Sequence, residues 1–264
     1  MKYNRQMIKK FTIIVLSILC ITYLSSCQAN KVVSSKIDIE VEKSEIYELI
    51  LTTEHAIIHI DKDYLTKLEM VDLAEKIEQG INDVKNYLGD KYIRKDVSKE
   101  KVEYYIKKRK DAGRSSAFGG DIELIKVKEK RSPYVHETVH VLASRNIDTK
   151  YWLFEGLAVH LQDIFGENPS QPNMGTDIDK LAKEILENGV SDDLLTFKNE
   201  FAYGGKARGF YILSASLVKY IENEYGKEKL LRIYYSEDIG DVTGKSFEDI
   251  KNGWMEYLKK SAKK

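Results

Sequence analysis

The order of hydrophobic patterns along the chain predicts an α+β fold: a small N-terminal sheet with a long helix, then a helical C-terminal half. Short β-branched runs and one long amphipathic stripe fill the first part of the chain. From residue 132 onward the 3.6-residue period dominates. Neither an internal repeat nor a low-complexity block interrupts this order.

Residues 28–45 are polar and charged, with no Gly or Pro and few apolar side chains, and read as a tether. The domain proper is placed at 46–264. Aliphatic and β-branched content over 47–60 predicts two strands, or one bent hairpin, around Thr53-Glu54. Met70, Leu73, Ala74, Ile77, Ile81, Val84 and Leu88 then form an unbroken helical stripe, ended by Gly89. Further strands are predicted at 102–106 and 122–127, separated by a Gly- and Ser-rich loop over 113–120. Ser132-Pro133 reads as a helix start, Ser as N-cap and Pro at the first position, with a stop soon after Arg145. Helices follow at 176–188, 207–225, 228–235 and 247–259, the last opened by a Ser246…Asp249 box.

The first 27 residues read as an address rather than as part of the fold. Lys2, Arg5, Lys9 and Lys10 precede a fourteen-residue apolar run, 11–24, which is short of the about twenty residues that span a bilayer. Leu24-Ser25-Ser26-Cys27 resembles a bacterial lipobox, which implies lipidation of Cys27 and a lipid anchor on the cell membrane. An ordinary secretory signal or an N-terminal anchor helix is the alternative, and each reading puts the domain outside the cytoplasm. Cys20 and Cys27 are the only cysteines, so the remaining residues have no thiol for a disulfide or a nucleophile. Without the leader the 42 basic and 42 acidic side chains become 38 and 42, a balance that suggests no nucleic-acid partner. The expected state is a monomer.

His136-Glu137-Thr138-Val139-His140 is the most informative stretch. On a helix, residues four apart share a face with Cβ atoms about 5–6 Å apart. Both imidazoles can therefore reach one Zn²⁺, leaving Glu137 free to take a proton from water. A catalytic zinc site also needs a third protein ligand. Glu155, in Trp152-Leu153-Phe154-Glu155-Gly156-Leu157-Ala158, is the best candidate if a second helix starting near Trp152 turns back beside the first. Gly156 and Ala158 are small enough to let those two helices approach closely.

These two motifs together resemble the gluzincin branch of zinc metallopeptidases, specifically peptidase MA-like domains with their HExxH…W-x-x-E-G-x-A pattern. The resemblance implies a zincin-like fold, one zinc held by His136, His140 and Glu155, and peptide-bond hydrolysis by a zinc-activated water with Glu137 as general base. It extends more loosely over about residues 50–260. One departure stands out: thermolysin-type members carry an Asp four residues after the third ligand, where this chain has Val159. Support for the imidazoles is therefore expected from elsewhere.

In zincins the metal lies between the two halves, and substrate is bound as an added strand along a sheet edge. The strand at 122–127 is expected to supply that edge. Tyr211 is the candidate oxyanion donor, against a packing role. His160 points about 140° away from Glu155 and reads as a surface or packing residue. His59 reads as a strand residue, Trp152 and Phe154 as packing anchors, and Lys107-Lys108-Arg109-Lys110 as a solvated strand end. Two functions fit the sequence: a membrane-anchored extracytoplasmic zinc metallopeptidase acting on peptide or protein substrates, and a catalytically inactive gluzincin-fold lipoprotein acting as a binding module.

Overall fold

Short strands need neighbours on both sides to satisfy their backbone groups, and the chain supplies them in one mixed sheet. A computed structural model describes residues 30–33, 37–44, 49–96, 100–108, 115–118, 120–143, 149–167, 170–189 and 207–261. The leader with Cys27 lies outside the described residues. The strands are β1 (Asn30–Val33), β2 (Asp38–Glu42), β3 (Leu49–Thr52), β4 (Ala56–Ile60), β5 (Val102–Ile106), β6 (Ser116–Phe118) and β7 (Asp121–Leu124), in the order β1-β2-β3-β4-β5-β7-β6. β2-β3-β4 is antiparallel, β5 lies parallel between β4 and β7, and β6 returns antiparallel on β7. Ala56, Ile58, Ile60, Val102, Tyr104, Ile106, Ile122 and Leu124 alternate onto one buried face, the period expected of a half-covered sheet.

Three strand expectations change. The sheet starts before residue 46: β2 pairs with β3 and buries Ile39, so part of the expected tether belongs to the fold. The Gly- and Ser-rich loop contains β6. Consequently β7 is paired on both sides, and β6, rather than the strand at 122–127, forms the edge at that end of the sheet, with β1 at the other.

The helices are α1 (Lys67–Leu88), α2 (Tyr134–Leu142), α3 (Tyr151–Phe165), α4 (Ile178–Glu187), α5 (Ala207–Tyr225), α6 (Lys227–Tyr234), α7 (Ile239–Thr243) and α8 (Phe247–Ser261). The predicted stripe of α1 is buried throughout, Thr66 and Glu69 form a capping box, and Gly89 caps the end at φ 71°. Ser246 and Asp249 bond reciprocally ahead of α8, as predicted.

α2 carries the HExxH motif and packs against β6, β7, α1 and α3. Gly80 makes the α1 crossing possible, because a Cβ there would lie 3.0 Å from the Tyr134 ring. Tyr104, fully buried on β5, meets Thr138 Oγ1 at 2.6 Å and pins the helix to the sheet. Ser132 is not the N-cap: Pro133 takes that position, and Ser132 Oγ makes no hydrogen bond among the described residues. α2 also stops at Leu142, earlier than expected, because Ala143 turns extended, bridges to Ile93, and leaves the Leu142 carbonyl to accept from Arg94 N–H.

α3 is buried along most of its length and forms the spine of the helical half. Gly156 serves α5 rather than α2. A Cβ at 156 would fall 2.7 Å from the Ser214 carbonyl oxygen, so glycine sets how closely α3 and α5 approach. Gly156→Ala is expected to destabilise the protein by about 1–3 kcal/mol, read as a lower midpoint in urea unfolding.

Candidate metal centre

The start of α3 faces the middle of α2, and this places three ligand atoms together. His136 Nε2 and His140 Nε2 are 3.0 Å apart, and Glu155 Oε2 lies 3.4 and 3.3 Å from them. Ligands bound at 2.0–2.1 Å with tetrahedral angles sit about 3.3 Å from one another, so the triangle matches one face of a zinc tetrahedron. His136, His140 and Glu155 are the three sequence-predicted ligands, and they converge.

The chemistry of the three groups fits a cation. Three electron-pair donors crowded out of water repel one another unless a proton or metal lies between them. Glu155 Oε2 is buried and makes no hydrogen bond among the described residues. Burial pushes the Glu155 carboxyl up, but the adjoining His140 and His136 outweigh it and hold the group well below the usual carboxylate range. The site thus keeps an anion beside two imidazoles, the donor set suited to zinc.

Glu137 lies one step round α2, outside the triangle and only 5 % exposed. Burial pushes its carboxyl up to about 7; His136 opposes this and Glu155 adds to it. Tyr211, on α5, stands edge-on to His136 with ring centroids 6.2 Å apart, so the weakly signalled candidate does reach the site.

Val159 cannot orient an imidazole. It is buried with Ile178 and Ala215, against Tyr211. Instead Phe154 stacks on the His140 ring, 4.1 Å between centroids and 22° between planes. His140 Nδ1 is buried with no hydrogen bond among the described residues, and the Phe154 stack is the contact seen on this ring there. The sequence signal for Phe154 was its place beside Glu155, which a packing role alone also explains. Trp152 is an anchor as expected, tilted against Phe247.

The other histidines serve structure. His160 is buried, with Nε2 2.5 Å from Glu222 Oε2, and Tyr87 donates to the other Glu222 oxygen, tying α1, α3 and α5 together. His59 stacks on Tyr105 and meets Glu103 at 3.1 Å. A second His/Glu group, Glu54, His55 and Glu78, differs in kind from the triangle. Glu78 accepts from Thr53 Oγ1, His55 N–H and Asn82 Nδ2 and meets His55 Nδ1, which latches the β3–β4 turn to α1.

The chain matches no family model, no curated protein and no solved structure. Among the described residues no helix is long and apolar enough to cross a membrane.

Proposed function

We propose that the protein is a membrane-anchored extracytoplasmic zinc metallopeptidase, held by a lipid on Cys27, that hydrolyses peptide bonds. The observation that carries this reading is the His136–His140–Glu155 triangle with a buried, non-ligating Glu137 beside it. His136, His140 and Glu155 would hold one zinc. When bound, zinc supplies Lewis acidity, polarising a carbonyl and making water a nucleophile near neutral pH.

The chain's own residues do the rest. Glu137 accepts the water proton and returns it to the departing amine, and a carboxyl poised near neutrality suits both transfers. Phe154 stacks on the His140 ring and restrains its orientation. Tyr211, whose ring stands edge-on to His136, is the residue to stabilise the developing oxyanion. The edge strand β6, adjacent to α2, is the place for an extended peptide to pair.

Elemental analysis of the purified protein beside His140→Ala tests the reading. About one zinc per chain is expected, and loss of most of it in the variant. No zinc in either protein after reconstitution would reduce the motif to a packed helix face.

A further inference from the structure

A helix leaves its first N–H groups without intrahelical partners, and α2 starts without a side-chain cap of its own. The N–H groups of Val135 and His136 both donate to Gln162 Oε1, at 3.0 and 3.1 Å. Gln162 lies on α3, seven residues after Glu155 and therefore two turns along the same face. Its Nε2 donates to Ser170 Oγ at 3.2 Å, and both side chains are 1 % exposed. A Cβ on Gly166 would fall inside the Gln162 amide, so glycine at 166 leaves the slot that this side chain fills. The amide is thus fixed at both ends.

We infer that Gln162 is a positioning residue for the metal centre: it bonds the backbone of the His136 helix to the helix that bears Glu155. This rests on the zinc reading above. The ligand triangle is assembled from two helices, and its dimensions depend on how α2 sits along α3. Gln162 fixes that register, because its one carbonyl oxygen spends both lone pairs on consecutive N–H groups, one of them belonging to His136 itself. Without that acceptor one buried and one part-buried donor lose their partner, and α2 must shift or admit water to satisfy them. Either change alters the separation between Glu155 and the two imidazoles.

The test compares zinc dissociation constants, by competition with a chromophoric chelator, with the metal-free Tm of each variant. Gln162→Met keeps length and burial but offers no acceptor. Gln162→Asn keeps an amide drawn back by one methylene, and carries the test if the Met variant does not fold. Both are expected to weaken zinc by about 10–100-fold. Gln162→Glu restores two acceptors at a helix N-terminus that favours negative charge, and should stay within about threefold of wild type. Tyr257→Phe, which loses a hydrogen bond to Asp179, is expected to lower Tm with zinc affinity unmoved. Zinc binding within about threefold of wild type in the Met or Asn variant overturns the inference, as does a Glu variant as weak as Met. Wild-type protein with no zinc affinity overturns the metal reading, and this inference with it.

Discussion

Glu137→Gln is expected to keep about one zinc per chain and to lose peptide hydrolysis by about 10²–10⁴-fold. Glu137 lies outside the ligand triangle, so an amide in its place leaves all three donors intact. The amide is nearly isosteric and cannot take a proton from water. Burial already lifts this carboxyl to about 7, which means that the protein tolerates a neutral group there. The Tm of the variant, expected to stay close to that of wild type, separates a fall in rate from unfolding. Cleavage of a peptide library, read beside zinc content, gives both numbers. A zinc-bound wild type that cleaves nothing in such a library, and is unchanged by the substitution, would point instead to a binding module.

Much of the centre was legible because its logic is local. The four-residue spacing of His136 and His140 brings two imidazoles together as soon as a helix is present, and the stripe from Met70 to Leu88 marks α1. Glu155 needed one further step, a short connection that folds α3 back beside α2. What escaped was set by partners far away in sequence. β6 has three residues, too few to show a period, and it exists because β7 offers an open edge. The cap of α2 is invisible beside Ser132, since the acceptor arrives from Gln162. Gly156 is a close-approach residue, but its neighbour is α5 and not α2; glycine alone does not say which helix comes near. α7 (Ile239–Thr243) is one short turn, held by an Asp238 cap and ended by Gly244, and has no apolar stripe to announce it.

The two halves of the centre are held by different means. α2 is gripped from the sheet side by Tyr104 and from α1 at Gly80, whereas α3 and α5 are set by a glycine contact and the Tyr87–Glu222–His160 chain. Tyr211 is therefore only as well placed as α5 is. A buried polar contact anchors that helix as well.

Removing that anchor is expected to have the largest effect on stability: Asp179→Ala should cost about 3 kcal/mol, and lower Tm by about 6–12 °C for a domain of this size. Asp179 is buried on α4 and every oxygen is engaged. Ser216 donates to Oδ1 at 2.7 Å, and Tyr257 to Oδ2 at 2.9 Å, while Lys219 approaches Oδ2 at 2.8 Å. Trp254, itself fully buried, donates onward to Ser216 at 2.9 Å. The carboxylate thus joins α4, α5 and α8 at one point. Burial pulls the Lys219 amine down, but its carboxylate neighbours more than compensate and raise it above the ordinary value. Alanine would leave that half-buried cation with Asp177, at 3.4 Å, as its one remaining carboxylate partner among the described residues, and two hydroxyls short of an acceptor. Asp179→Asn keeps an acceptor for one hydroxyl but loses the charge and the second acceptor, so its Tm should fall between those of wild type and the alanine variant. Calorimetric unfolding of the metal-free protein separates these cases. An alanine variant within about 1 kcal/mol of wild type would mean that apolar packing around Trp254, rather than the carboxylate, holds α5 in place.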